Sequence, residues 1–372
     1  MAKLLKSKIQ IVLSISQATF SPQLEEIIRA LKESEVNCHI LIMGTSGSPL
    51  FAEIQRLKIA HTILPNISKY GIWRHFLITF FLMLKHRPRV FLASGQYATF
   101  SGIPAAYLLR ISKRIYIRHH SIYHHHYGIR MGIFLDRIMN TLATKIVAVS
   151  KIVKSVLVIN EGVSDSKVDI IYNGVDLNDF HNRKKIPIQE SQLNTSSNKV
   201  FRIGAISRLT DWKGVEYTAL AFRDFYKKYP NSYLHIVGAF GDSSEKITKI
   251  LEALPENSYQ FEQQNFDVPS FLSSLDGFVH VPITSDSEAF GIVYIEALAI
   301  GVPCIFTISG ILNELPDPEH YCSVVPYMSS DAILHQLEIL YSGKQLKRPT
   351  AQNWLLQFTL KNQSASYLAL IS

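Results

Sequence analysis

The chain has 372 residues, 47% hydrophobic and 18% charged, which excludes a disordered or fibrous protein and suits two globular domains. No run reaches the ~20 apolar residues of a membrane span, the nearest being His75–Leu84, and the start, MAKLLKSKIQIVLSIS, lacks the small-residue cleavage site of a secretory signal. The net charge of +8 is uneven: residues 1–176 hold 22 basic and 10 acidic side chains, or +12, leaving −4 for residues 177–372. The first half is therefore expected to meet something anionic, such as a membrane face, a lipid phosphate or a nucleic acid. Three scattered cysteines, Cys38, Cys304 and Cys322, fit a reducing compartment and no metal-binding spacing, so a cytoplasmic protein is expected.

Short β-rich runs alternate with helical patterns along the chain, as in βαβ units on a parallel sheet. In the first half the strands are predicted near Ile9–Ser16, Asn37–Ile42, Val90–Ala93, Arg114–Ile117, Lys145–Val149 and Asp169–Ile171. Helices are predicted over Gln23–Lys32, Trp73–Lys85, Ile103–Ile111, Gly132–Asn140 and Lys151–Ile159. The stretch Trp73–Arg89 is apolar and flanked by Arg74, Lys85, Arg87 and Arg89. It reads either as a buried helix of the first sheet or as a surface helix resting on an anionic bilayer.

Residues 181–199, HNRKKIPIQESQLNTSSNK, are polar and unpatterned and read as a linker. The alternation then restarts. Strands are predicted near Phe201–Ala205, Tyr233–Val237, Gly277–Val281, Pro303–Phe306 and Ser323–Val325, and helices near Gly214–Lys228, Ser243–Ala253, Gly291–Ile300 and Ser330–Leu340. The expected domains are 1–180 and 200–352, with a last helix over 353–372 returning to the first. Ligands of such sheets sit outside the carboxyl ends of the strands.

Three segments lie at such ends. Asn173-Gly174, in DIIYNGVDLNDF, is a turn dipeptide after a strand. Arg208 and Lys213, in ISRLTDWKGVEYTALAF, follow the first strand of the second half and can converge on an anion. SEAFGIVYIEALAIGVPCI places Glu288 in the loop before a helix and Glu296 within it. That helix N-terminus offers free amides and a positive dipole end to a phosphate, and Gly291 lets it approach closely. A carboxylate on each side could hold the hydroxyls of a sugar and of a ribose.

In this order the segments Asn173–Asp176, Arg208–Gly214 and Glu288–Pro303 resemble those of the retaining glycosyltransferases of family 4, whose fold is GT-B: α/β, two Rossmann-like domains with parallel sheets facing across a cleft. The resemblance is sharp over about 165–310. It implies transfer of a hexose or N-acetylhexosamine from a UDP- or GDP-sugar to a lipid-linked or envelope glycan. Arg208 and Lys213 would bind the donor diphosphate, Glu288 the donor sugar, and Glu296 the ribose. Phe290, Gly291 and Ile292 would present backbone amides, and Gly238 would lie beside the nucleotide. His119 would line the cleft between acceptor and donor. No carboxylate is placed as a nucleophile, which points to a front-face mechanism.

The resemblance implies no metal cofactor, although Arg118–Gly128, RHHSIYHHHYG, carries five histidines. Two departures stand out: the loop Ser14–Gln23 lacks the family's glycine pair, and Ser309–Leu315 is altered. A nucleotide-sugar epimerase or a phosphorylase of the same fold is the nearest alternative. A dinucleotide oxidoreductase would need a G-x-G-x-x-G turn that neither half has, and no nucleic-acid signature accompanies the basic charge. The expected location is cytoplasmic, at the inner membrane face.

Overall fold

A computed structural model describes residues 9–16, 21–43, 47–65, 71–181, 200–263, 267–343 and 351–372. The linker expected at 181–199 lies, from residue 182 onward, outside the described residues, as does 17–20 of the loop after the first strand. The chain divides into two compact units, Met1–Val175 with Phe358–Ser372, and Asp176–Gln357.

The first unit is a parallel seven-stranded sheet. Its strands are β1 (Ile11–Ser16), β2 (Cys38–Met43), β3 (Ala60–Leu64), β4 (Val90–Ser94), β5 (Lys113–Arg118), β6 (Lys145–Ala148) and β7 (Val168–Ile170), in the order β3-β2-β1-β4-β5-β6-β7. The central strands β1, up to Ile15, and β4 are buried, as a sheet covered on both faces requires. The connecting helices are α1 (Pro22–Glu33), α2 (Pro49–Arg56), α3 (Gly71–His86), α4 (Gln96–Leu108), the short α5 (Tyr123–His126), α6 (Arg130–Leu142) and α7 (Lys151–Ser155). Ser-Pro pairs start the first two: Ser21 and Ser48 accept from the amides of Leu24 and Phe51 at 3.3 and 3.2 Å, and the proline fills the first helical position.

The helix Leu360–Ile371 belongs to this unit and packs on α1. Its arrival explains Asn173-Gly174. A Cβ on Gly174 would fall 2.6 Å from Leu360 Cα, so only glycine admits the returning backbone. The adjacent Val175 amide donates to the Phe358 carbonyl at 2.7 Å.

The second unit is a parallel six-stranded sheet of β8 (Phe201–Ile206), β9 (Ser232–Val237), β10 (Tyr259–Glu262), β11 (Gly277–His280), β12 (Cys304–Phe306) and β13 (Ser323–Val324), ordered β10-β9-β8-β11-β12-β13. Its helices are α8 (Leu177–His181), α9 (Val215–Lys228), α10 (Ser244–Leu251), α11 (Val268–Ser273), α12 (Ile292–Ile300), α13 (Ser330–Tyr341) and α14 (Gln352–Leu355). Phe222, Phe225, Ile236 and Val279 anchor its core, each buried side chain contributing about 1.5–3 kcal/mol. In both sheets the strand order reverses once, between β1 and β4 and between β8 and β11. Those are the switch points where an open α/β sheet leaves a crevice at its carboxyl edge.

Candidate active site

At the second switch point, chain leaves β8 through Ser207, Arg208 and a short 3-10 turn over Asp211–Lys213. Arg208 is exposed, its guanidinium 5.6 Å from the centre of the Trp212 ring, which limits where it can swing. Chain leaves β11 through His280 and a loop that carries Glu288 to the start of α12. The fold thus brings Lys213 onto Glu288 across 75 positions: the ammonium is hydrogen-bonded to Oε1. The same oxygen accepts from His280 Nε2 at 3.0 Å. Glu288 is further fixed by its own amide, which donates to Ser309 Oγ at 3.1 Å.

The electrostatics follow from this geometry. Burial pushes the Glu288 carboxyl up, but the Lys213 charge and the His280 hydrogen bond outweigh it and hold the pKa at about 2. His280 is buried and its pKa is lowered, chiefly by desolvation, so it is a neutral imidazole with its proton on Nε2. Its ring stands edge-on to Tyr294, whose hydroxyl donates to the Thr307 carbonyl at 3.1 Å. Sequence reasoning missed His280. The signal for it is a polar residue ending an otherwise apolar buried strand.

Gly291 caps α12 at φ 78° and ψ 67°, a left-handed conformation that a side chain would strain. A Cβ there would also fall 2.6 Å from the Tyr294 ring. The amides of Gly291 and Ile292 have no backbone acceptor among the described residues, leaving a donor cradle at the helix start. Phe290 is buried, and its carbonyl accepts from the Ile311 amide at 2.8 Å. Gly238 closes β9, its amide donating to the Glu262 carbonyl at 2.9 Å.

Glu296 lies on α12, half-buried, and shares no hydrogen bond or ion pair with Lys213, Arg208 or Glu288. With nothing to balance its desolvation, its pKa is pushed up to about 7. Such a carboxyl is poised to accept hydrogen bonds from a ligand's hydroxyls.

His119 belongs to the first unit, just beyond β5. Its Nε2 lies 3.3 Å from Ser94 Oγ at the end of β4. The ring is open to solvent, yet desolvation by the surrounding protein, and then His120, lower its pKa to about 4. Beneath it lies a network that sequence reasoning also missed. Arg118, the last residue of β5, is buried and forks to Asp136 at 3.2 Å and Glu161 at 2.5 Å. Asp136 Oδ2 also meets His124 Nδ1 at 2.6 Å and His120 Nε2 at 3.4 Å. Burial would raise the Asp136 pKa, but these hydrogen bonds and the Arg118 charge hold it well below the usual carboxylate range. Asp136 is the one acid between Glu53 and Glu161, which is the signal that could have found it.

His120, His124 and Asp136 are grouped closely enough to hold a metal ion. The fit is poor: Arg118 already occupies the shared Asp136 oxygen, and a divalent cation there would face its guanidinium. His124 is also committed on its other side, with Nε2 at 2.7 Å from the Gln96 amide nitrogen.

Two parallel α/β units, each with a switch-point crevice, define a GT-B type of protein. The fold matches Anabaena HepE, solved in complex with UDP-glucose, with a TM-score of 0.77 at 20% identity, over 96% of this chain and 99% of that one. Residues 23–179 match Glycosyltransferase Family 4 and residues 188–354 match Glycosyl transferases group 1. The chain belongs to this group of GT-B glycosyltransferases. Among curated proteins it is 29% identical over 153 residues to the O-antigen biosynthesis glycosyltransferase WclY of Escherichia coli, 41% of this chain and 40% of that one. It is 27% identical over 147 residues to the alpha-monoglucosyldiacylglycerol synthase of Acholeplasma laidlawii, 38% of this chain and 36% of that one. These matches span about two-fifths of each relative's length.

Proposed function

We propose that the protein is a retaining glycosyltransferase that moves a hexose or N-acetylhexosamine from a nucleoside diphosphate sugar, UDP- or GDP-linked, to a lipid-linked or envelope glycan acceptor. The observation that carries this reading is the Lys213–Glu288–His280 cluster, assembled at the β8/β11 switch point just before the open amides of α12. HepE, of the same fold, is solved with UDP-glucose, which supports a nucleotide-sugar donor.

Arg208 and Lys213 would hold the diphosphate together with the amides of Gly291 and Ile292. Glu288 would accept from hydroxyls of the donor sugar, and Glu296 from those of the ribose. Phe290 and Gly238 would complete the wall of the nucleotide site. Lys213 is the group that changes partner, from Glu288 towards the phosphate, while His280 keeps Glu288 in place.

In the transfer, the bond from the anomeric carbon to the phosphate oxygen breaks as a bond to the acceptor hydroxyl oxygen forms on the same face. The acceptor proton passes to the departing phosphate oxygen. Charge on that leaving group is stabilised by Arg208, Lys213 and the helix end, the kind of term that usually dominates catalysis. His119, neutral, would orient the acceptor hydroxyl. With two cations and a helix end facing the diphosphate, no metal is needed. A lipid-linked or envelope glycan acceptor would put the enzyme in the cytoplasm, at the inner membrane face.

The test is a thermal-shift screen of UDP- and GDP-sugars, followed by turnover with the stabilising donor and assignment of the product's anomeric configuration by NMR. Stabilisation by one nucleotide class and a retained configuration are expected. Conversion of the donor to an isomer without any acceptor would indicate an epimerase instead.

A further inference from the structure

An open cleft lies at the carboxyl ends of β4 and β5 in the first unit. Phe100 and Met139 supply apolar lining, and Gln96, His119 and His120 polar lining. None of its groups has a charge to spare for a ligand. Arg118 and Asp136 reach its wall, but each guanidinium nitrogen is engaged, by the His120 carbonyl at 3.1 Å, Asp136 at 3.2 Å and Glu161 at 2.5 Å. Desolvation, above all, lowers the pKa of His119 and of His120 to about 4, so both rings are neutral at pH 7. An anion entering the cleft meets no free cation, and a cation meets a carboxylate already paired. Apolar lining beside neutral amide and imidazole groups suits an uncharged ligand rich in hydroxyls.

Gln96 is the side chain able to tell such ligands apart. Gly95, at φ 92°, turns the chain out of β4 where a Cβ would fall 2.2 Å from Ser16 Oγ, and Gln96 opens α4. The Gln96 side chain is exposed and held at one point, with Nε2 2.7 Å from Nε2 of His124. His124 is buried, its Nδ1 2.6 Å from Asp136 Oδ2. Its ring fits because residue 132 of α6 is glycine: a Cβ there would fall 2.7 Å from the imidazole. Asp136 is ionised and can only accept, so His124 carries its proton on Nδ1 and accepts at Nε2 from the Gln96 amide. A free terminal amide turns over and offers either its carbonyl or its amino group. Here the buried pair fixes the sense: the amino group faces His124, and Oε1 has no partner among the described residues. A ligand hydroxyl therefore meets an acceptor whose position is set from beneath.

We infer that this cleft seats a neutral pyranose of the acceptor and that Gln96 selects its stereochemistry, with His124 and Asp136 as positioning residues. The inference rests on the glycosyltransferase reading, and it narrows the acceptor group met by the first unit to an uncharged sugar instead of a lipid phosphate.

The experiment is ligand-observed NMR titration of the full chain at saturating UDP or GDP. The probes are the methyl glycosides of D-glucose, D-galactose, D-mannose and N-acetyl-D-glucosamine and, separately, geranyl diphosphate. The galactoside and mannoside each differ from the glucoside in the direction of one hydroxyl. Wild type is expected to prefer one glycoside over the others and over geranyl diphosphate. Gln96→Leu, at an exposed position, should weaken the preferred glycoside by roughly three- to tenfold and erase the preference. His124→Phe keeps a ring against Gly132 but frees the amide, so it should level the four affinities without lowering them together, as a merely structural role would. UDP or GDP affinity should be unchanged in both variants. Wild type that shows this glycoside pattern yet binds neither nucleotide would sink the donor reading and leave the cleft standing. The inference is overturned if nucleotide-bound wild type takes no glycoside, or prefers geranyl diphosphate to all of them. It is equally overturned if Gln96→Leu keeps wild-type affinity and selectivity.

Discussion

Each unit buries an ionised carboxylate beside a cation at the end of a parallel strand, and the two clusters differ in how completely they are closed. In the first unit, the Arg118 fork is divided between Asp136 and Glu161, His120 and His124 converge on the same Asp136 oxygen as Arg118, and Asn140 donates to the other oxygen of Glu161. Each guanidinium nitrogen is engaged, by the His120 carbonyl, Asp136 and Glu161, so two buried carboxylates depend on one cation. In the second unit, Glu288 is held by one flexible lysine and one neutral histidine, and the loop bearing it ends on a helix whose first amides are open. The first cluster is a clamp that fixes the end of β5 and so the position of His119. The second is the one we propose exchanges its lysine with an anion.

That contrast can be broken in several ways. The largest effect is expected at Lys213→Ala, where turnover should fall at least ~10²-fold from lost charge stabilisation while circular dichroism stays native. Arg118→Leu should act on the fold instead: it strands two buried acids and should cost about 3–5 kcal/mol in urea unfolding. If Arg118→Leu is as stable as wild type, the clamp reading fails.

Glu296 offers a sharper and smaller signal. Its carboxyl is pushed up to about 7 and loses its proton as pH rises through that value. Affinity for the nucleotide should therefore rise several-fold from pH 6 to pH 8, and Glu296→Gln should flatten the profile. The Glu288 carboxyl is shifted the other way. Its lowered pKa gives stability that is present above the ordinary carboxylate range and is lost as pH falls towards about 2. The smallest effect is expected on chelation: exhaustive EDTA should leave turnover unchanged. Loss restored by Mn²⁺ or Mg²⁺ would return His120, His124 and Asp136 to consideration as ligands.

The sequence made the central strands legible because β1, β4 and β8 are short apolar runs bounded by turn residues. It hid the edges. β3 has an exposed or half-exposed residue at four of its five positions, and β10 is half-exposed, so neither carries the apolar signal of a covered strand. The start of α4 was also missed, because Gln96–Gly102 is rich in small and polar residues that resemble a loop. Packing explains them: a Cβ on Gly102 would fall 2.0 Å from the Phe91 ring, so the helix must be small there to lie on β4. The motif residues of the second unit could be named from spacing alone. Their partners could not, since His280 and Arg118 look like ordinary strand ends until the loops that meet them are in place.

The central claim is that the cluster and helix start of the second unit form the nucleotide site. It is tested most directly by calorimetric titration of UDP, with GDP in parallel, into wild type, Lys213→Ala and Glu296→Ala. The account predicts that the nucleotide bound by wild type loses more than ~tenfold in affinity, about 1.4 kcal/mol, in each variant with the fold intact. Unchanged affinity in both variants would contradict it.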